Sequence, residues 1–453
     1  MQEFDLIVIG AGSGLDVANA AAQRGMKVAI VEKSRMGGTC LNRGCIPSKL
    51  LIHSADVAEI IKDAGTFGIR VAGFSVDFEK IVARSNGIVD SESDGIRDAF
   101  SKIDNPKLFP HECRFVAKKT ISVGDEKITA EKFLIASGTR PRIPDIVGLQ
   151  GSGSITSDEA LRLRKQPEAL TILGGGYIAA ELAHFYGALG TKINMVQRRN
   201  TLLPAEDEEV AAKFTEIFSR KYNVYLGCEA VSVSKKGGMF TVRARNSSGK
   251  SISLESDQLL VATGRVPNSD TLDVAKTGVE VDRKGFVKVD KYLETTAKGI
   301  FALGDAVGRF LFKHSANLEA QYAFNNIANY GRKVPVDYTA MPHAIFSSPQ
   351  VAGVGYTEQQ LRSDKIGYEK AIYNYINTAM GEAIDDKEGF VKFLVAKGNG
   401  KILGCHIMGS HASILIHEVL VAMKLGATVH AIARTVHVHP ALSEVVARAA
   451  SSL

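Results

Sequence analysis

Phe4-Asp5-Leu6-Ile7-Val8-Ile9-Gly10-Ala11-Gly12-Ser13-Gly14 begins as a mostly apolar run and turns without a break into glycines. The run reads as a buried strand, the glycines as a tight turn, and the chain through Ala18–Arg24 as a helix. A second strand, Lys27–Val31, ends on Glu32 and completes the start of a βαβ unit. Gly10 and Gly12 let backbone N–H groups approach a pyrophosphate at a helix N-terminus, where the dipole favours an anion. The third glycine of such a turn falls at position 15, which here is Leu15, with Gly14 beside it. That glycine normally allows close helix–strand packing, so a slightly displaced helix is expected, without loss of binding. Glu32, 22 residues after Gly10, is placed to accept a hydrogen bond from a ribose hydroxyl.

The pattern returns about 164 residues later. Leu170-Thr171-Ile172-Leu173 leads into Gly174-Gly175-Gly176-Tyr177-Ile178-Ala179, a helix through Tyr186 and a strand Lys192–Val196. One glycine fingerprint is weak; two, each strand-led and helix-followed, argue for two nucleotide cofactors. The second unit ends Gln197-Arg198-Arg199, with no acid where an NAD-binding strand would carry one. A carboxylate there would repel a 2′-phosphate, whereas two guanidiniums would bind it bidentately. Arg198 and Arg199 therefore point to NADPH, with NADH possible; the bland alternative is an exposed basic turn.

Between these units lies Gly37-Gly38-Thr39-Cys40-Leu41-Asn42-Arg43-Gly44-Cys45-Ile46-Pro47-Ser48-Lys49. The gap between Cys40 and Cys45 is too wide for a thioredoxin-type pair and has no metal-ligand partner elsewhere. It suits a small disulfide loop that opens and closes beside a flavin. Two unrelated buried cysteines would leave the flanking Gly-Gly-Thr and Ile-Pro-Ser-Lys unexplained. Near the other end, His439-Pro440 is followed by Glu444. A histidine whose second nitrogen is held by a carboxylate is a general acid–base pair. His437 reads as structural.

Composition narrows the function classes. With 453 residues, 45% hydrophobic and 23% charged, the chain can bury large cores, and its length suggests about three domains. The +6 charge is dispersed in short pairs such as Lys118-Lys119 and Lys235-Lys236, so neither a nucleic-acid tail nor a polybasic membrane patch is implied. Five cysteines are no disulfide scaffold; Cys113, Cys228 and Cys405 read as core thiols, and the remaining pair as redox-active in a reducing cytoplasm. No secretory leader precedes the first strand and no apolar run reaches membrane-spanning length. Long helices are expected within Ser54–Ile103 and short strands within Cys113–Phe133. From about Tyr338 a separate sheet is expected from Pro342–Gly355, Gly389–Val395 and Lys401–Met408, with helices at Ile414–Leu425 and Val429–Ala433.

Together these motifs resemble the class I pyridine nucleotide–disulfide oxidoreductases, along essentially the whole chain. Further runs carry the resemblance: Ala136-Ser137-Gly138, Thr263-Gly264-Arg265, Gly304-Asp305, Ser348-Pro349 with Val354-Gly355-Tyr356-Thr357-Glu358, and His439-Pro440-Ala441-Leu442-Ser443-Glu444. The fold this implies is α/β and glutathione reductase-like: two Rossmann-like dinucleotide-binding domains plus a C-terminal α+β dimerisation domain. It implies an FAD-binding domain at 1–145 completed by 265–337, an NAD(P)H-binding domain at 146–264, and an interface domain at 338–453. FAD would be held by Gly10, Gly12, Gly14, Glu32, Gly38, Thr39, Ala136, Gly138 and Asp305. The nicotinamide nucleotide would be held by Gly174, Gly176, Arg198 and Arg199, with Tyr177 over its pocket, and Gly264 and Arg265 would also be cofactor-binding.

Carried over residue by residue, Cys45 is the flavin-side thiol and Cys40 the outer thiol that exchanges with substrate. Lys49 and Glu181 would pair near the flavin. His439, oriented by Glu444, would come from the other subunit of a homodimer acting on a small-molecule disulfide. Among the branches, Ala20 stands where glutathione reductase has its substrate arginine, and Ala450-Ser451-Ser452-Leu453 replaces the terminal cysteine pair of mercuric reductase. The runs Ile178–Leu189, Phe312–Asn317 and His439–Val446 look most like mycothione reductase. Asp16 and Asn19 add polarity to a helix that is apolar near the substrate in dihydrolipoamide dehydrogenase, the runner-up. A flavin oxidase or monooxygenase would need neither Cys45 nor a distant His-Pro; a non-catalytic subunit of a complex would need no redox chemistry at all.

Overall fold

A computed structural model describes all residues, Met1–Leu453. The chain forms two compact units. The first comprises Met1–Leu50, Lys80–Arg142 and Gly264–Asp337, and the second comprises Leu51–Glu79, Ile143–Thr263 and Tyr338–Leu453.

In the first unit, strands Lys107–Phe109, Val28–Val31, Gln2–Ile9, Glu126–Ile135 and Ile300–Ala302 lie parallel in that order. The hairpin Cys113–Ala117 and Thr120–Val123 joins the first half of Glu126–Ile135 antiparallel. Side chains alternate between two apolar layers. Leu6, Val8, Ile30, Leu134 and Phe301 pack against Val17, Ala18 and Ala21 of helix Gly14–Gln23 and Ala320, Ala323 and Ile327 of helix Lys313–Ala328. Ile7, Ile9, Val31, Phe133, Ile135 and Ile300 enter the opposite layer with Phe115, Ile121 and Val123. A parallel strand covered on both faces must be apolar at nearly every position, which is why its sequence reads as a run. Each such side chain contributes about 1.5–3 kcal/mol by leaving water.

The turn after the first strand depends on glycine. Gly10 has φ +108°, and a Cβ there would lie 2.3 Å from the Ala136 carbonyl oxygen. The close helix–strand approach expected of residue 15 is made by Gly14 instead: a Cβ on it would lie 2.8 Å from Val8 Cγ1. Leu15 packs at the edge of the helix-side layer. The helix begins directly on the glycines, at Gly14.

The second unit holds a parallel sheet in the order Asn223–Leu226, Lys192–Gln197, Ala169–Leu173 and Gln258–Val261. Helix Tyr177–Ala188, buried over most of its circumference, connects its two central strands. Cys228–Lys236, Met239–Asn246 and Ser251–Ser256 form a three-stranded antiparallel sheet that the sequence reading did not anticipate. The expected C-terminal sheet has five antiparallel strands: Pro342–Ile345, Gln350–Gly355, Ile402–Gly409, Phe390–Ala396 and Tyr368–Asn374. Helices Ala412–Lys424, Val429–Arg434 and Glu444–Ser451 cover it through Leu415, Ile416, Val419, Ile432, Val445 and Val446. No helix is long and apolar enough to cross a membrane.

One charge is sealed inside this unit. Lys392, on Phe390–Ala396, is fully buried, and its ammonium reaches Asp207 Oδ1 at 2.8 Å and Glu358 Oε2 and Glu209 Oε2 at 2.5 Å. Asp207 caps helix Glu208–Lys221 by accepting from Glu209 N and also accepts from Glu358 N. Burial alone would raise the Glu358 carboxyl; hydrogen bonds from Lys392, Tyr368 and Lys370 instead hold it down at about 2. That lies below the unfolded value of roughly 4.3. The resulting stabilisation is present above about pH 4 and is lost as pH falls toward 2. Lys392→Met should therefore cost about 3–5 kcal/mol in chemical denaturation, because it leaves buried carboxylates unpaired. The deficit should shrink as pH falls from about 4 toward 2, where the carboxyls protonate and no longer need the ammonium; an unchanged denaturation midpoint at neutral pH would show that the network is energetically neutral.

Candidate active site

Cys40 lies on the short helix Gly38–Arg43, and Cys45 is the first residue of helix Cys45–Asp63. Gly44 makes the turn between them, and a Cβ there would lie 2.9 Å from the Thr39 carbonyl oxygen. Neither cysteine is joined in a disulfide; Cys45 is exposed and Cys40 half-buried. Cys40 holds its proton far more tightly than a free thiol, first because of its hydrogen bond with Cys45 and then because of burial. Two facing thiols cannot both ionise easily, and the helix N-terminus favours Cys45 as the one that does. Asn42 braces the run: its amide donates to the carbonyls of Met36 at 2.8 Å and Gly38 at 3.0 Å. Ser93 Oγ donates to the same Met36 carbonyl. The helical setting around the cysteines makes Asn42 a structural residue that the motif alone did not single out.

The surroundings in the first unit suit a dinucleotide. Ser13, the N-cap of helix Gly14–Gln23, makes no side-chain cap of its own, so the first-turn N–H groups remain available for an anion. Gly37 N donates to Ala11 O at 3.0 Å, and a Cβ on Gly38 would lie 2.6 Å from Gly12 Cα. The cysteine run is thus pressed backbone to backbone against the glycine turn. Thr39 stands next to this contact. Glu32 accepts from Ala11 N and Ser34 N, both at 2.8 Å. Beyond it, a cavity of about 280 Å³ is lined by Ser34, Arg35, Met36, Ser93, Asp94 and Arg97.

Asp305, whose carboxyl is raised by burial, accepts from Thr139 Oγ1 at 2.8 Å. Arg265 in turn grips Thr139, donating to its Oγ1 at 2.7 Å and its carbonyl at 2.8 Å. Gly304, just before Asp305, donates to the buried Glu319 at 2.5 Å. Arg265 therefore braces Asp305 through Thr139. Neither Thr139 nor Glu319 was singled out by sequence; position 139 follows the Ala136-Ser137-Gly138 run and was the available signal. The glycines around the turn, Ala136 and Gly138 fit a tightly approached cofactor, and nothing in their geometry obstructs one.

The second unit repeats the same turn. Gly174 has φ +122°, and a Cβ there would lie 2.3 Å from the Ala262 carbonyl oxygen. Gly176 is the N-cap of helix Tyr177–Ala188 and offers no side chain to occupy its first-turn N–H groups. Gln197 lies against Gly175, where the built Cβ would be 2.8 Å from its Nε2, and donates to Thr201 O. Arg198 and Arg199 are exposed beyond it, Arg198 holding only a loose 3.9 Å approach to Glu229. Glu181, one turn after Tyr177, is buried and accepts from Phe346 N at 3.0 Å.

His439 Nδ1 lies 3.0 Å from Glu444 Oε1 and 3.2 Å from Oε2, and the histidine side chain is 71% exposed. The Glu444 carboxyl is held low by His439 and by Ala441 N. His437 differs: both ring nitrogens are engaged, by Thr435 O and Glu418, as expected of a structural residue. Lys49 Nζ reaches Ser48 Oγ at 3.3 Å. Asp16 and Asn19 are both exposed on the first helix.

Residues 4–324 match the family model of the pyridine nucleotide-disulphide oxidoreductases. The chain belongs to that family. Residues 341–450 match the family's dimerisation domain. The chain is 36% identical over 460 residues to a mycothione reductase of Mycobacterium tuberculosis, covering 99% of each. It is 31% identical over 466 residues to a dihydrolipoyl dehydrogenase of Bacillus subtilis, covering 99% of this chain and 97% of the relative. The Escherichia coli flavoprotein disulfide reductase RclA, solved as a Cu(II) complex, has the same fold with a TM-score of 0.89 and 26% identity over 100% of both chains. As an oxidoreductase of this family, the protein has a glutathione reductase-like fold, depends on FAD and NAD(P)H, and acts as a homodimer on a small disulfide. Ile414, Val421, Leu425, Val436 and Val438 are exposed apolar residues within its dimerisation domain.

Proposed function

We propose that this oxidoreductase reduces a polar low-molecular-weight disulfide at the expense of NADPH, through Cys40 and Cys45. The contact between the two thiols at a helix N-terminus carries this reading. Gly10, Gly12, Gly14, Glu32, Gly38, Thr39, Ala136, Gly138 and Asp305 would hold FAD. Gly174, Gly176, Tyr177, Arg198 and Arg199 would hold NADPH, with Gly264 and Arg265 beside the cofactors. When bound, FAD would pass two electrons from NADPH to a Cys40–Cys45 disulfide and open it to the dithiol. Lys49 and Glu181 would form an ion pair beside the flavin. The assignment of 1–145 with 265–337 to FAD, 146–264 to NADPH and 338–453 to the interface follows the same reading, as does a cytoplasmic location for a pair that must cycle.

Cys45, at the helix N-terminus, keeps the thiolate. Cys40 gives its proton to His439 of the partner subunit, attacks one sulfur of the substrate disulfide and forms a mixed disulfide as the substrate S–S bond breaks. The leaving thiolate takes its proton from His439 of the partner subunit, and Glu444 fixes the imidazole tautomer by accepting from Nδ1. The Cys45 thiolate then attacks the Cys40 sulfur, expelling the second substrate half as a thiolate that takes its proton from solvent, and restores the disulfide. The exposure of His439, beside the exposed Val436 and Val438, supports its use across the dimer. Asp16 and Asn19 are three residues apart on one helix face and favour a substrate that brings hydrogen-bonding groups. Dihydrolipoamide oxidation is the second reading, carried by 36% identity to a dihydrolipoyl dehydrogenase of Chlorobaculum parvum, equal to that of the mycothione reductase. The sequence Gln197-Arg198-Arg199 favours the first.

Two-electron reduction of the holoenzyme should produce a long-wavelength thiolate–flavin band, absent in Cys45→Ser and already present in resting Cys40→Ser. The reverse pattern would exchange the two thiol roles. His439→Ala should lose about 10²–10⁴-fold of disulfide turnover with near-normal flavin reduction by NADPH. Mixed dimers of Cys40→Ser and His439→Ala chains should recover one working site, and failure to do so would place the histidine in its own subunit's site. Steady-state assays read both specificities. KM for NADPH should lie below that for NADH, and Arg198→Ala should raise only the former, by roughly ten-fold. A polar disulfide should show higher kcat/KM than lipoamide, a preference lost in Asp16→Ala; efficient NAD-linked lipoamide turnover would decide for the second reading.

A further inference from the structure

The segment that carries His439 joins helix Val429–Arg434 to helix Glu444–Ser451. At its edges Thr435 N donates to Ile432 O and Glu444 N to Ala441 O, and between them Val436–Pro440 take part in no backbone–backbone hydrogen bond. Val436 and Val438 are exposed. Between them His437 turns inward, its side chain only 10% exposed. Its Nε2 lies 3.0 Å from Glu418 Oε2, on helix Ala412–Lys424, and its Nδ1 lies 2.9 Å from Thr435 O. One side chain therefore ties the stretch that leads to His439 onto the domain.

Those two contacts require a proton. A carbonyl oxygen only accepts, so Nδ1 must carry a hydrogen to meet Thr435 O. Nε2 would then turn a lone pair toward the Glu418 carboxylate unless one further proton lies between them. The pair is satisfied as imidazolium with carboxylate, or as imidazole with carboxylic acid. Burial raises the Glu418 carboxyl, and the contact with His437 opposes that rise. Glu418 Oε1 is buried and has no hydrogen-bond partner, so a bare carboxylate is costly there. Cys405, on strand Ile402–Gly409, is raised by burial and by the Glu418 charge, and stays a neutral thiol. His417, on the same helix as Glu418, is engaged with Ile414 O, and Glu444 is engaged by His439 and Ala441 N. His437 is thus the group that offsets Glu418. When rising pH removes the shared proton to solvent, carboxylate and lone pair face each other and the tie opens.

We propose that His437 is a positioning residue: with Glu418 it forms a hydrogen-bonded pair that holds one shared proton, anchors the segment Val436–Pro440 and so sets where His439 stands. The inference rests on His439 being the acid–base group of disulfide exchange.

The test follows two half-reactions by stopped flow in dimeric, flavin-loaded enzyme, across neutral and alkaline pH. One is flavin reduction by NADPH; the other is reoxidation of the reduced enzyme by lipoamide or hydroxyethyl disulfide, whichever serves the wild type better. His437→Leu and Glu418→Leu should slow reoxidation by roughly ten- to a hundred-fold and leave flavin reduction unchanged. Glu418→Gln should restore reoxidation at neutral pH, because its amide donates to Nε2 of a neutral ring whose Nδ1 still donates to Thr435 O. Wild-type reoxidation should fall on the alkaline side as the pair loses its proton, and E418Q, with no such proton to lose, should stay active to higher pH. If H437L yields no dimeric holoenzyme, His437→Gln, which keeps only the Glu418 contact, takes its place and should show a smaller loss of the same kind. Equal losses in both half-reactions, or none in either, would overturn the anchor. An E418Q pH profile superimposable on wild type would overturn the shared proton. His439→Ala separates the two readings: normal reoxidation in H439A would remove the acid–base role itself, whereas slow H439A beside normal H437L would remove this inference alone.

Discussion

Each nucleotide-type sheet passes from its first strand to its first helix through a glycine held against a carbonyl oxygen. A Cβ on Gly10 or Gly174 would lie 2.3 Å from the carbonyl oxygen of Ala136 or Ala262. The same strands are locked by Ala136 N donating to Ile9 O and Ala262 N to Leu173 O, both at 2.8 Å. Only glycine tolerates this approach together with φ values beyond +100°. The turn in turn places the helix N-terminus over the carboxyl edge of the sheet, where anions bind. In the first unit it also offers Gly12 as the surface on which Gly38 rests, and this seats the cysteine helix. The Cys40–Cys45 pair therefore depends on the same backbone constraint as the glycine turn.

The protein treats its charges in two opposite ways. Lys392 is buried among three carboxylates and backbone donors, so its desolvation is offset by short contacts and the cluster pins two helix starts to a central strand. Lys313 is held by neutral oxygens, Ser13 Oγ and Asn317 Oδ1. The first arrangement neutralises a buried charge with opposite charges; the second solvates a charge with neutral oxygens alone. His439 differs from both: the Glu444 carboxylate engages its Nδ1 while the ring stays exposed.

Legibility followed burial. Phe4–Ile9 and Leu170–Leu173 were readable because strands covered on both faces cannot hide their apolar character. Cys228–Lys236 and Tyr368–Asn374 were not, because they are partly exposed and mostly polar, with few apolar positions to set a period. Helix Lys313–Ala328 escaped for a related reason: its buried stripe is largely alanine, interrupted by Ser315, Glu319 and Asn326. Leu15 in place of the third glycine was expected to displace the helix slightly, and the neighbouring Gly14 supplies the close packing. A motif marks the kind of residue required, whereas the contact itself depends on the angle at which helix meets strand.

Short-range pattern was enough to single out the Cys40–Cys45 run, the two glycine turns, the His439–Glu444 pair and the absence of an acid at Gln197, because each is a matter of which residue types stand a few positions apart. Residues that act from a distance in sequence were invisible there. Ser13 meets Lys313 across 300 positions, Thr139 meets Asp305 across 166 and Arg265 across 126, and Gly304 meets Glu319 only because a helix returns to the strand end. Serine, threonine and lysine are common on any surface and carry no local signature. Packing of the sheet and its two helix layers is what brings their polar atoms within hydrogen-bonding reach, and so decides which of them serve the site.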